Sequence, residues 1–434
     1  MSKRSGVARA LAVLSIFVCV GCRAETLTAI VNARILTMGR SGELERGSIL
    51  IRDDKVVDVG AELPIPPNAR RIDASGAIAT PGFILMGGPA GAVEFPMTPG
   101  HDDSAAGGGL SAGFDIQYAV DPRSTYLPEI RREGSTLALI TPSILPTDEK
   151  PFSYFGGQAA VIRLGVGGEL IVKPAAAATL QLGVGSSRAI QIIQLKRLFD
   201  RLRAASKESR ESEESSPPQI PGLADEDIAA LNEVFSGKTP LLVSAGSKED
   251  ILQAIEFART YELRIILDGA EEGWLLADEI AAANVPVLTS VEFDTPGEGE
   301  WARTMANAAR LAAAGVQIAL KLYAGGAIFK FPTSRYIAGL AVAHGMPYRK
   351  ALESLTSVPA RMLGIDDRFG SIEAGKQADI VLWTGDPLEP SSMVKMVMVG
   401  GVEQPLTSRK SLLRDRYLPN ASTGSAEAVN KSHE

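Results

Sequence analysis

The chain has 434 residues, 45% of them hydrophobic and 22% charged, an ordinary globular composition long enough for two domains or for one large barrel with an accessory unit. Its formal net charge is -7, from 51 acidic and 44 basic residues without a basic stripe, which excludes nucleic acid as an expected partner. Both cysteines, Cys19 and Cys22, lie near the N-terminus, so no disulfide is expected in the mature chain.

Residues 1–24 read as an export signal. Lys3, Arg4 and Arg9 form a positive segment ahead of an apolar run from Ala10 to Gly21, the size of a signal-peptide core and too short to span a bilayer. Two processing sites are open. Val20-Gly21-Cys22 resembles a lipoprotein box, with Cys19 where Leu is usual, and would leave Cys22 lipidated; the other site follows Ala24. Either one places the protein in the periplasm, or anchored to the outer membrane, of a bacterium. No other stretch is apolar for long enough to be a membrane span.

From 25 to 80 the chain reads as short strands: Leu27 to Val31, Arg34 to Met38, Gly47 to Ile51, Lys55 to Gly60 and Arg71 to Asp73 are rich in β-branched residues and broken by Gly, Asp and Pro turns. Thr80-Pro81-Gly82-Phe83-Ile84-Leu85-Met86 then reads as a turn into a buried strand. In a barrel enzyme the residues after such a strand line the active site. Here they are Gly87, Gly88 and Pro89, whose side chains can neither bind a metal nor move a proton.

Between 81 and 365 strand-like and helix-like segments alternate, the rhythm of a parallel α/β barrel. Strands are expected at Leu137 to Ile140, Ala160 to Ile162, Leu241 to Val243, Arg264 to Leu267, Val285 to Leu288 and Gln317 to Leu320. Helices are expected at Ile190 to Ser206, Glu249 to Tyr261, Gly273 to Ala283, Glu300 to Ala314 and Tyr348 to Thr356. The segment 206–218 is charged and apolar-free, which predicts a solvated loop. Strand signals return in 366–418, where Phe369 to Trp383 is a turn-rich segment leading into a strand and Val394 to Val399, followed by Gly400-Gly401, is another. A few strands with one apolar face are marginal alone, so 25–80 and 366–418 are expected to share one small sandwich. The polar tail 419–434 reads as disordered.

Ile72-Asp73-Ala74-Ser75-Gly76 with Pro81-Gly82-Phe83-Ile84, Ser357-Val358-Pro359-Ala360-Arg361-Met362-Leu363-Gly364, and Gly370-Ser371-Ile372-Glu373-Ala374-Gly375-Lys376-Gln377-Ala378-Asp379-Ile380-Val381-Leu382-Trp383 together resemble the metal-dependent amidohydrolase superfamily, specifically its secreted imidazolonepropionase-like branch. The resemblance implies an α/β fold, a (β/α)8 TIM-like barrel inserted in a small β-sandwich formed by both ends of the mature chain. It also implies a divalent metal, usually zinc, that lowers the pKa of a bound water for attack on a non-peptide C–N bond.

The ligand positions depart from that pattern. The His-x-His pair that normally follows the first strand aligns with Gly87 and Pro89, the usual aspartate with Leu85, a strand-end histidine with Ser244, and the catalytic aspartate of the last strand with the neighbourhood of Lys321 and Leu322. The three histidines offer no substitute: His433 is in the tail, His344 reads as a helix end, and His101-Asp102-Asp103 reads as a turn in a Gly-rich loop.

Oxygen ligands at strand ends remain: Asp268, Glu271, Glu272, Glu292 and Asp294 could hold a harder metal, although acids here also suit the start of a following helix. Gly156-Gly157-Gln158 and Gly165-Val166-Gly167-Gly168 lack phosphate-loop spacing and read as turns. Ser186, Ser187 and Ser244 are nucleophiles only if Lys321 or a carboxylate serves as base.

Two functions follow. One is a family member without the usual zinc catalysis and with no expected cofactor, binding a small molecule or stabilising a paralogous subunit or a second copy of itself. The other is a hydrolase of non-peptide C–N bonds with a divergent metal site, in which Asp268, Glu292, Asp294 and Lys321 are the candidate residues at the barrel mouth. A solute-binding lipoprotein, supported only by the export segment, is a third.

Overall fold

The computed structural model describes residues 26–95, 98, 100–106, 109–145, 152–184, 187–211 (backbone only over 206–211), 219–292, 295, 300–322 and 333–418. The β-rich N-terminal region supplies β1 (Leu27–Leu36), β2 (Glu43–Arg52), β3 (Lys55–Gly60), β4 (Arg70–Asp73) and β5 (Ile78–Pro81). The middle supplies β6 (Phe83–Met86), β7 (Ser135–Ile140), β8 (Phe155–Arg163), β9 (Ile171–Gln181), β10 (Leu241–Ala245), β11 (Ile265–Gly269), β12 (Val287–Thr289) and β13 (Ile318–Leu320); the C-terminal region adds β14 (Ile380–Trp383), β15 (Val394–Val399) and β16 (Val402–Gln404). The helices are α1 (Tyr126–Arg132), α2 (Arg188–Glu211), α3 (Asp225–Phe235), α4 (Lys248–Tyr261), α5 (Ala277–Ala282), α6 (Asn307–Ala313), α7 (Arg335–Ala343), α8 (Tyr348–Glu353), α9 (Ser357–Met362) and α10 (Arg409–Tyr417).

Strands from both ends of the chain meet where β14 pairs antiparallel with β5, Ile380 opposite Pro81 and Trp383 opposite Ile78. The result is one eight-stranded sheet in the order β16-β15-β14-β5-β1-β2-β3, with β4 also on β1. These strands are joined edge to edge by their hydrogen bonds, and strands from the two parts of the chain share one apolar cluster, Ile49, Ile51 and Val56 with Ile380, Leu382 and Met396. One strand, β1, carries β4 along its first half and β5 along its second, and Asn32, at φ 64°, bends it between them.

The second sheet runs β13-β12-β11-β10-β9-β8-β7-β6 and is nearly closed. Leu242, Ile266, Leu288 and Ala319 share one apolar cluster with Ile84, Met86, Leu137 and Leu139. Their chain neighbours Leu241, Ile265, Leu267, Val287 and Leu320 belong to the cluster shared with the helices. The period of two therefore assigns the first set to the inside of the barrel and the second to the outside. Burial on both faces also explains why these strands read as unbroken apolar runs.

Two departures from a regular (β/α)8 arrangement stand out. β8 runs antiparallel to both β7 and β9; only residues 164–170 separate it from β9, too few for the dozen or so residues of a parallel crossover. The turn there contains Gly167 and Gly168 at φ 80° and 88°. The second departure is the seam between β6 and β13. The Ile84 amide donates to the Leu355 carbonyl at 2.8 Å and the Leu320 amide to that of Ser354 at 3.2 Å, so a buried turn satisfies both edge strands.

Other local expectations shift as well. Gly156 and Gly157 lie inside β8, not in a turn; Gly157, at φ 117°, passes so close to the Phe114 carbonyl that a Cβ would collide with it. The charged stretch expected as a loop begins as helix, since α2 continues to Glu211; residues 212–218 lie outside the described residues. So do the N-terminal signal with Cys22 and the tail from 419.

Candidate functional site at the barrel mouth

Two residues beyond the inner apolar layer, the same strand faces turn polar. Leu242 is followed by Ser244, Ile266 by Asp268, Leu288 by Ser290 and Ala319 by Lys321. The alternation that buries the first set points the second into the mouth. Ser244 stands opposite Asp268 in the β10–β11 register and opposite Gln181 in the β9–β10 register. On the far side of the mouth, the Thr141 Oγ1 accepts the Gly88 amide at 2.8 Å.

Lys321 and Asp268, both singled out from sequence, meet here: the Lys321 Nζ is ion-paired with the Asp268 Oδ1. The pair spans β12 and is sheltered, with side chains 17% and 19% exposed. The Lys321 stem lies toward Gly87, where an added Cβ would stand 3.9 Å from its Cδ. A fixed ammonium thus sits between the end of β6 and the carboxylate of β11.

The acids after β11 divide into two roles. Glu272 is structural: its Oε2 accepts the Lys248 amide and its Oε1 the Ala302 amide, each at 2.8 Å. It caps the start of α4, whereas the sequence pointed to the helix that follows it. Glu271 is different. Its carboxylate lies over two glycines, where a Cβ on Gly269 or Gly246 would come within 2.7 Å or 2.9 Å of its Oε2. Its nearest cation in an ion pair is Arg303, at 3.9 Å, which also binds Glu300. Burial, reinforced by the neighbouring Glu300 charge, pushes the Glu271 carboxyl up to about 7, against the opposing pull of Lys321 and Arg303. The sequence marks Glu271 as a strand-end acid but not its protonation, because Gly246, one of the two glycines beneath its carboxylate, and the neighbouring Glu300 come from other parts of the chain.

The remaining candidates fall away from this centre. Glu292 lies beside Ser290, whose Oγ donates to its Oε2 at 3.4 Å. Asp294 lies outside the described residues, as does Ser186. Asp102 is engaged in its own turn, accepting the Ser104 hydroxyl at 2.6 Å, and His101 lies edge-on to Phe95. His344 closes α7, its amide bonded to the Leu340 carbonyl.

This donor set does not fit a zinc ion. Gly87 and Pro89 offer no imidazole, Ser244 offers a neutral hydroxyl, and Asp268 is already neutralised by an ammonium, whereas zinc needs three or four converging nitrogen, sulfur or carboxylate ligands. Among the described residues no three His, Cys, Asp or Glu side chains converge.

A nearly closed eight-stranded barrel joined to a sheet made from both chain ends, with polar side chains gathered at the strand ends, defines the class: an amidohydrolase-type α/β protein. The amidohydrolase family model matches residues 159–403, more than half of the chain. The chain belongs to the amidohydrolase family. An amidohydrolase from Thermotoga maritima MSB8 superposes with a TM-score of 0.77 at 24% identity, over 87% of this chain and 99% of that one. Molinate hydrolase superposes with a TM-score of 0.55 at 15% identity, over 88% and 95%. At these identities the likeness is one of fold.

Two curated relatives match locally. Amidohydrolase tasK of Hapsidospora irregularis is 44% identical over 61 residues, 14% of this chain and 6% of that protein. A 5-methylthioadenosine/S-adenosylhomocysteine deaminase of Desulforudis audaxviator is 50% identical over 38 residues, 9% of each. The chain therefore spans less than a tenth of either relative's length.

Proposed function

We propose that this chain is an exported amidohydrolase of the secreted imidazolonepropionase-like branch in which the zinc-and-water mechanism is lost and the barrel mouth binds a small polar molecule. The reading rests on the Lys321–Asp268 pair. An ammonium supplies one positive charge where the family's chemistry uses a divalent ion, and it cannot lower the pKa of a bound water as zinc does. What remains at the mouth is a fixed donor beside a fixed acceptor, ringed by Ser244, Ser290 and Thr141, a set that orients a ligand through hydrogen bonds. In this reading the protein has no cofactor, and its barrel serves as a binding module, alone or beside a related subunit or a second copy, reaching the membrane only through a lipid on Cys22.

The test is metal content together with turnover. The purified mature protein should hold far less than one equivalent of zinc, manganese or iron, and should not hydrolyse cyclic amides or acyl-amino substrates with or without added metal. Stoichiometric metal with metal-dependent turnover overturns the reading.

A second reading, hydrolysis of a non-peptide C–N bond, is favoured by Glu271: burial beside the mouth and the neighbouring Glu300 push its carboxyl up to about 7, the range of a general acid or base. Turnover that survives chelation, shows an inflection near pH 7 and is lost in Glu271→Gln would establish it.

A further inference from the structure

At the opposite end of the barrel from the mouth, the starts of β10, β11, β12 and β13 surround a cavity of about 620 Å³. Its polar lining is Arg259, Arg264 and Arg361 with Glu262, Asn284 and Gln317, and Leu263 and Met362 add apolar wall. The three guanidinium groups come from separate elements: the last turn of α4, the residue before β11 and the last turn of α9.

Cations at the ends of helices complement their dipoles, which accounts for the placement of Arg259 and Arg361 along their helices. It does not account for the crowding. Arg259 is paired with Glu256 at 2.6 Å and Arg264 donates to the Gly237 carbonyl at 3.0 Å, but the Arg361 guanidinium has no partner among the described residues. Nearby, Lys173 donates to the Leu363 carbonyl at 2.7 Å. Its ammonium is pushed below its ordinary pKa by burial and then by the charges of Arg264 and Arg368, with only Asp367 opposing. Like charges lining one cavity repel, and an anion brought among them relieves that repulsion.

We infer that this cavity is a second ligand site, for a small molecule with an oxyanion head and an apolar body. Arg361 and Arg264 grip the head, Asn284 and Gln317 supply amide hydrogen bonds, and Leu263 and Met362 face the body. A planar guanidinium matches two oxygens of a carboxylate or phosphate at once, and the volume lies in the range of small-molecule sites. The site shares no residue with the mouth and does not depend on the function proposed above.

Phenyl phosphate, benzoate and inorganic phosphate are the probes, followed by calorimetry and by the melting temperature of the full mature chain. Saturable binding of phenyl phosphate or benzoate, tighter than that of inorganic phosphate and weakening as salt is raised, is expected. Comparing the first two probes distinguishes a phosphate from a carboxylate head. Arg361→Ala and Arg264→Ala, both on exposed side chains, should each weaken binding by roughly tenfold or more, while Lys321→Ala leaves it unchanged. No saturable binding, binding indifferent to both arginines, or binding lost in Lys321→Ala would each overturn the inference.

Discussion

The Lys321 ammonium at the end of β13 is ion-paired with the Asp268 carboxylate at the end of β11, across the intervening strand β12 and beside Gly87. In a barrel these strands are held by main-chain hydrogen bonds, but their inner polar ends have no apolar layer above them. The pair supplies a tie there.

Breaking this pair should cost stability, because a sheltered carboxylate left alone keeps its desolvation penalty. Lys321→Ala and Asp268→Ala should each lose about 1–3 kcal/mol, and the double variant should lose less than their sum. A double-mutant cycle by urea denaturation measures the coupling. Strict additivity would mean that the two side chains do not interact in solution.

A second charged tie joins the barrel to the sheet built from both chain ends. The Arg163 Nη2, at the end of β8, donates to the Asp379 Oδ1 at 2.5 Å, and the same oxygen accepts the Gly400 amide at 2.7 Å. The Asp379 backbone carbonyl also accepts the Gly82 amide at 3.0 Å. A few residues on, Trp383 stacks on Phe83 with ring centres 5.2 Å apart and donates to the Thr80 Oγ1 at 2.9 Å. The aspartate of the C-terminal motif is thus a fastening between the two sheets. Asp379→Ala should destabilise the protein by about 3–5 kcal/mol, as expected when one partner of a buried pair is removed. The pairing of Arg163→Met with Asp379→Leu should recover a large part of that loss in equilibrium unfolding. Equal instability of the single and double variants would argue against the fastening.

Much of this organisation is legible in the sequence, and what is not has identifiable causes. Asp268 and Lys321 stand out because each ends an apolar run, Ile265-Ile266-Leu267 and Ile318-Ala319-Leu320. Their meeting is not legible, since it depends on how the barrel brings two non-adjacent strands together. β9 escapes a propensity reading because Pro174 and the run Ala175 to Ala178 are poor strand formers; pairing on both sides, with β8 and β10, makes it a strand. The acidic start of α3 conceals another role: Asp227 is buried and accepts the Ser111 and Gly113 amides at 2.8 Å and 2.7 Å. Only the tertiary structure brings that loop to the helix.

Glu271 gives the protein a pH dependence that can be isolated. Its carboxyl is raised from an ordinary 4.5 to about 7, chiefly by burial and then by Glu300. Below pH 4.5 the group is protonated in both folded and unfolded chains and contributes no difference. Between pH 4.5 and 7 the unfolded chain releases the proton while the folded chain keeps it, so stability falls as pH rises; above about 7 both are ionised and the loss is complete. The full loss is about 3 kcal/mol. Glu271→Gln keeps the shape and cannot ionise. The variant should match the parent near pH 4.5 and exceed it in stability at pH 8, with urea denaturation at both values as the measurement. If the two proteins instead keep a constant difference across that range, Glu271 is ionised throughout, and the general acid or base role falls with it.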